Sequence, residues 1–79
     1  MENYYKILGV NQSAESEVIK AAYRVLSKKY HPDVSASEES KVRMQEINLA
    51  YDMLSNEAKK KVYDSELAKE GYYNFNSEN

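Results

Sequence analysis

Between Glu15 and Tyr30 the apolar residues recur at helical spacing. At about 100° per residue, Ile19, Ala22, Leu26 and Tyr30 share one arc, and Lys20, Arg24 and Lys28 lie opposite. Tyr23 stands on the boundary, and Lys29 falls near the apolar side, where its stem must snorkel. A second helical pattern, Met44, Ile47, Ala50, Tyr51 and Leu54, predicts a helix from about Ser37 to Leu54. Val42, Leu49 and Met53 make a weaker stripe on its other side; position 53 can face a neighbouring helix and Leu49 can stand exposed. No two-residue alternation is sustained, so the expected fold is all-α.

Shorter patterns flank this pair. Asn3 to Leu8 predicts a short first helix stopped by Gly9, a natural C-terminal residue. Ser13 is the expected N-cap of the second helix, with Glu15 in its first turn. Ser35-Ala36-Ser37-Glu38 fits the capping-box pattern ahead of the third helix. Ser55-Asn56 is the expected cap of a fourth, from Glu57 to about Leu67, and Gly71 to Asn79 reads as a mobile polar tail. The predicted boundaries are a domain over 1–68 and a tail or linker start over 69–79.

The second and third helices, of similar length and joined by a short loop, should pack as an antiparallel hairpin with His31-Pro32-Asp33 at its tip. Proline disfavours helical geometry at the residue before it, so the helix should stop near Tyr30 or His31. An aspartate just past a helix C-terminus faces the negative end of the dipole and gains nothing there. The expected core is Tyr5, Leu8, Ile19, Leu26, Ile47, Tyr51, Leu54 and Tyr63.

Composition narrows the function. Seventy-nine residues make one small domain, and a chain of that size buries only roughly 60% of its unfolded surface. With no Cys and a single His, disulfides and a Cys/His zinc site are excluded, and no cofactor or metal is expected. Eight tyrosines suggest ring bodies inside and hydroxyls at the rim. The net charge is −2, yet Lys20, Arg24, Lys28 and Lys29 make the second helix locally basic. In the third helix Glu38, Glu39, Glu46 and Asp52 outweigh Lys41 and Arg43. This distribution favours an acidic partner surface over nucleic acid. Lys59-Lys60-Lys61 is offset by Glu57, Asp64 and Glu66 and reads as a solvated face. The N-terminus has no signal-peptide character and no apolar run approaches the ~20 residues of a membrane span, so a soluble, cytoplasmic domain without membrane association is expected.

Taken in order, several segments resemble the J-domain of the DnaJ family of co-chaperones. They are Tyr4-Tyr5-Lys6-Ile7-Leu8-Gly9-Val10, Ala22-Tyr23-Arg24, Lys29-Tyr30-His31-Pro32-Asp33, Glu46-Ile47-Asn48, Ala50-Tyr51, Leu54-Ser55-Asn56 and Val62-Tyr63-Asp64. The resemblance covers about Asn3 to Glu66. It implies an antiparallel hairpin of helices II and III with short helices I and IV. It also implies a monomer that binds the nucleotide-binding domain of a DnaK-type heat-shock chaperone near the interdomain linker and stimulates its ATP hydrolysis. The implied contact residues are His31, Pro32, Asp33, Lys20, Tyr23, Arg24 and Lys28. Departures from the family pattern are Val25 for a basic residue, Ser35 for asparagine, Met44 for phenylalanine, Leu49 for a charged residue and Lys60 for arginine.

On the residues alone, each feature has a plainer reading. The basic stripe reads as a solvated face, His31 as a cap on exposed carbonyls, and Asp33 as an Asx-turn. An enzyme using His31 and Asp33 as acid and base would lack a phosphate loop, a thiol or a metal cluster to complete its site. A J-like scaffold that binds without stimulating an ATPase is the other rival.

Overall fold

The computed structural model describes residues 3–77, with side chains described as far as Glu70. Four helices follow in order: α1 Tyr4–Leu8, α2 Ser16–Lys29, α3 Glu38–Ser55 and α4 Glu57–Ser77. No strand occurs among the described residues. α2 and α3 form the hairpin, α1 lies across it and touches both, and α4 packs on α3. The buried core is Tyr5 and Leu8 from α1, Ile19 from α2, Ile47, Ala50 and Leu54 from α3, and Tyr63 from α4. Leu26 and Tyr51, also expected there, are half-buried at its margin, as are Met44 and Met53. Val42 and Leu49 stand exposed.

Local chemistry explains the ends. Asn3 caps α1 by accepting from the Lys6 N–H at 3.2 Å. Gly9 closes it in the left-handed region, φ 69°. Its N–H donates to the Lys6 carbonyl and that of Val10 to the Tyr5 carbonyl, the pairing of a Schellman motif. A Cβ at Gly9 would meet nothing within 4 Å, so its backbone angle, not crowding, favours glycine.

Three boundaries differ from expectation. Ser13 does not cap α2, because its N–H and hydroxyl both donate to Asn11 Oδ1 at 2.8 Å. Asn11 thereby closes an Asx-turn, and Glu15 occupies the cap position without a side-chain bond. At α3 the cap is Ser37, which accepts from the Ser40 N–H at 3.1 Å; Ser35 instead meets the buried Ser40 hydroxyl at 2.5 Å. Asn56 caps α4 as expected, accepting from the Lys59 N–H at 3.0 Å. α4, however, runs past Leu67 to Ser77. Gly71 costs a helix about 1 kcal/mol but does not terminate it, and no proline follows Pro32. Residues 78 and 79 of the expected tail lie outside the described residues.

α4 fastens α1 to the hairpin through two consecutive residues. The Tyr63 hydroxyl accepts from the Tyr4 N–H at 3.0 Å, and the two rings lie 4.6 Å apart. The Tyr5 hydroxyl donates to the Asp64 carboxylate, which also pairs with Lys60 at 3.1 Å. Burial, reinforced by Asp64, raises the Tyr5 phenol above its ordinary 10.0. Its hydrogen bond to Asp64 raises Lys60 above 10.5, against the opposing effect of burial. Both groups hold their protons more tightly folded than unfolded. Their contribution is therefore complete below the unfolded values and is lost as pH rises through the folded ones. The thermal midpoint should stay level from neutrality to about pH 9 and fall above about pH 10. Asp64→Asn should cost about 1 kcal/mol and shift tyrosine ionisation, followed by ultraviolet absorbance, to lower pH. Unchanged ionisation in that variant would remove Asp64 from the account.

Candidate functional site at the hairpin tip

α2 ends because Pro32 forbids its continuation. Tyr30 is the C-cap, its N–H still donating to the Leu26 carbonyl. The next four residues form a turn in which the His31 carbonyl accepts from Val34 N–H at 2.9 Å and from Ser35 N–H at 2.8 Å. Pro32 occupies the second position, where its fixed φ is already that of a β-turn. On the far side, the hydroxyls of Ser35, Ser37 and Ser40 bond to one another and pin the chain as it enters α3.

The turn presents its side chains outward. Asp33 is 89% exposed and His31 57%. The expected Asx-turn at Asp33 is not formed. The Ser35 N–H that it would use donates to the His31 carbonyl, while His31 Nδ1 accepts from the Asp33 N–H at 3.1 Å. Nor does His31 cap the α2 carbonyls; Asp33 Oδ2 is its other neighbour, 3.6 Å from Nδ1.

Along α2, Lys20, Arg24 and Lys28 are all exposed. None forms an ion pair among the described residues. Elsewhere Lys41 pairs with Glu38, Lys59 with Asp52 and Lys60 with Asp64. Lys29 places its ammonium 5.4 Å over the Tyr30 ring. Beneath the cationic row the Tyr23 ring stacks on Tyr51 of α3, centroids 4.1 Å apart and planes 10° from parallel. The Tyr23 hydroxyl donates to Asn48 Oδ1 at 2.8 Å. Lys20, Arg24 and Lys28 thus rim a groove floored by Tyr23, Ser27 and Tyr51. A second groove, beside the turn, is lined by Tyr30, Pro32, Ser35, Ala36, Met44 and Asn48.

The structure therefore gathers the seven expected residues into two neighbouring features, a cationic helix face holding Lys20, Tyr23, Arg24 and Lys28, and a turn holding His31, Pro32 and Asp33. Asn48 and Tyr51, absent from the expected set, tie the first feature to α3. The signal available for them was the boundary position of Tyr23 opposite α3. Among the described residues no cluster of three or more His, Cys, Asp or Glu could hold a metal. No helix there is long and apolar enough to cross a membrane.

Comparison with known proteins places this geometry. The family model for the DnaJ domain matches residues 3–64. Chaperone protein DnaJ of Mycoplasmopsis pulmonis is 56% identical over 63 residues, covering 80% of this chain and 17% of that protein. Chaperone protein DnaJ of Hydrogenobacter thermophilus is 52% identical over 64 residues, covering 81% and 18%. DnaJ homolog dnj-10 of Caenorhabditis elegans is 47% identical over 64 residues, covering 81% and 14%. The chain spans less than a fifth of the length of these relatives. The solution structure of the J-domain of a mouse DnaJ-like protein superposes with a TM-score of 0.75 at 33% identity, covering 82% of this chain and 77% of that one.

The Tyr23 clasp is separable by substitution. Tyr23→Phe keeps the stack and loses the Asn48 bond, an expected cost of about 1 kcal/mol in urea unfolding, whereas Tyr23→Ala should cost about 3 kcal/mol. Equal losses would show that stacking contributes nothing.

Proposed function

The chain belongs to the DnaJ-domain family, and from that premise we propose that it is a co-chaperone module acting on a DnaK-type heat-shock chaperone in the cytoplasm. As a monomer it docks on the partner's nucleotide-binding domain near the interdomain linker and stimulates ATP hydrolysis there. It supplies no reacting group of its own. It favours the partner conformation in which hydrolysis proceeds, to the extent that it binds that conformation more tightly.

The observation that carries this reading is an exposed carboxylate at the hairpin tip beside a row of cations that the domain itself leaves unpaired. Ion pairs within a fold neutralise charge, whereas Lys20, Arg24 and Lys28 keep theirs for the solvent side. Such a row accelerates encounter with an acidic surface and aligns it, an effect that salt screens. Asp33 then pairs with a cationic group on the chaperone, and His31 and Pro32 hold the turn that presents it. Tyr23 supports the row from beneath through its stack on Tyr51. Val25, 65% exposed in the same helix, thins the charged face without breaking it.

Single-turnover ATP hydrolysis by a DnaK-type chaperone, with and without the domain, tests the proposal. The domain should raise the rate, and Asp33→Asn should abolish the increase, since truncating one partner of a desolvated charge pair costs about 2–5 kcal/mol. Replacing Lys20, Arg24 and Lys28 together by alanine should weaken binding and flatten its salt dependence. Binding with no change in hydrolysis rate would indicate a scaffold instead. Full stimulation by Asp33→Asn would refute the proposed mechanism.

A further inference from the structure

The His31 imidazole faces two competing demands, both from Asp33. Its Nδ1 lies 3.1 Å from the Asp33 amide nitrogen and 3.6 Å from Asp33 Oδ2. A ring nitrogen that accepts from an N–H carries no proton, so the bond observed requires the neutral ring with its proton on Nε2. Nε2 finds no partner among the described residues. Protonated, Nδ1 becomes a donor. It can then no longer receive the amide, and the Asp33 carboxylate is the acceptor nearest to it.

The two states have opposite consequences for Asp33. In the neutral state the amide is held and the carboxylate is left to solvent, 89% exposed. In the charged state the amide is released and the carboxylate is drawn to the imidazolium. We infer that His31 is a positioning residue: as the Nε2–H tautomer it fixes the backbone of Asp33 through Nδ1 and leaves the carboxylate available, and its protonation withdraws both. The inference rests on the function proposed above and assigns His31 a role within the domain instead of a contact with the chaperone.

Neighbouring charges do not supply an alternative partner. Lys28 and Lys29 end α2, and Lys29 lies over the Tyr30 ring. Glu38 and Lys41 begin α3 and pair with each other at 3.3 Å. The turn itself contributes only Asp33. Both side chains are on the surface, so substitution at position 31 leaves the core untouched.

Asparagine and glutamine separate the two ring nitrogens. An asparagine oxygen sits where Nδ1 does and can accept from the N–H two residues on, as in an Asx-turn; a glutamine amide reaches the place of Nε2. With the 79-residue chain and a DnaK-type chaperone in single-turnover hydrolysis, His31→Asn should keep stimulation within about threefold of the parent, and His31→Gln should lose roughly tenfold or more. The ratio of parent to His31→Asn stimulation at each pH cancels the chaperone's own response. That ratio should be lower with the ring protonated than with it neutral, since a protonated Nδ1 cannot accept the amide.

Retention by His31→Gln with loss in His31→Asn would overturn the inference in favour of an Nε2 contact with the chaperone. Equal effects of the two variants, or a ratio flat in pH, would overturn it as well. A readout that needs no chaperone keeps it separate from the functional reading. Long-range proton–nitrogen spectra of the chain with a neutral ring should show Nδ1 unprotonated, with the Asp33 amide resonance moving when the ring is protonated. A protonated Nδ1 in the neutral ring would overturn the inference whatever Asp33→Asn does, whereas a parent chain that stimulates no hydrolysis would overturn only the co-chaperone reading.

Discussion

The wedging of α1 across the α2–α3 hairpin is the constraint on which the other features rest. Five residues cannot hold a helix by themselves. α1 persists because Tyr5 and Leu8 are buried among Ile19, Ile47 and Leu54, and because both of its ends are fastened. At one end Gly9 turns the chain in a conformation few other residues adopt; at the other, Tyr63 and Asp64 of α4 reach Tyr4 and Tyr5. Without that wedge, α2 and α3 would expose apolar faces that a two-helix hairpin cannot cover. With no cysteine to form a disulfide, the seven buried apolar side chains carry the fold.

How much of this was legible follows from the range of the interactions. Features set within one turn of chain, such as the Gly9 stop, the Asn56 cap and the α2 stripe, are written in adjacent residues and are found where expected. Choices between equally suitable neighbours are not. Ser13 and Asn11 compete for the same role before α2, and the Asx-turn wins; Ser35 and Ser37 both fit a cap, and the burial of Ser40 decides which one serves. The length of α4 was missed because Gly71 reads locally as an end, although a single glycine only weakens a helix. At the site, α2 and the turn were readable, but Asn48 and Tyr51 were not. Their part depends on contacts with Tyr23 across 25 or more residues of chain, and the boundary position of Tyr23 marks only that something on α3 faces it.

The absence of an Asx-turn at Asp33 has the same origin. Asp33 is a good Asx-turn former on sequence grounds. Its carboxylate is nevertheless left to solvent, because the Ser35 N–H that such a turn would use already donates to the His31 carbonyl. The bland structural task and the outward-facing charge are thus divided between two residues, and the proline between them keeps the division fixed.

The stacked rings of Tyr23 and Tyr51 clasp the two limbs of the hairpin directly under the cationic row. That contact resists bending of one limb against the other and so favours one interval between the row and the tip. A partner bearing charges at a matching interval would engage both ends of this ruler, and the second engagement would form at the raised effective concentration created by the first. Selectivity between partners could then reside in spacing alone, with every individual contact left weak.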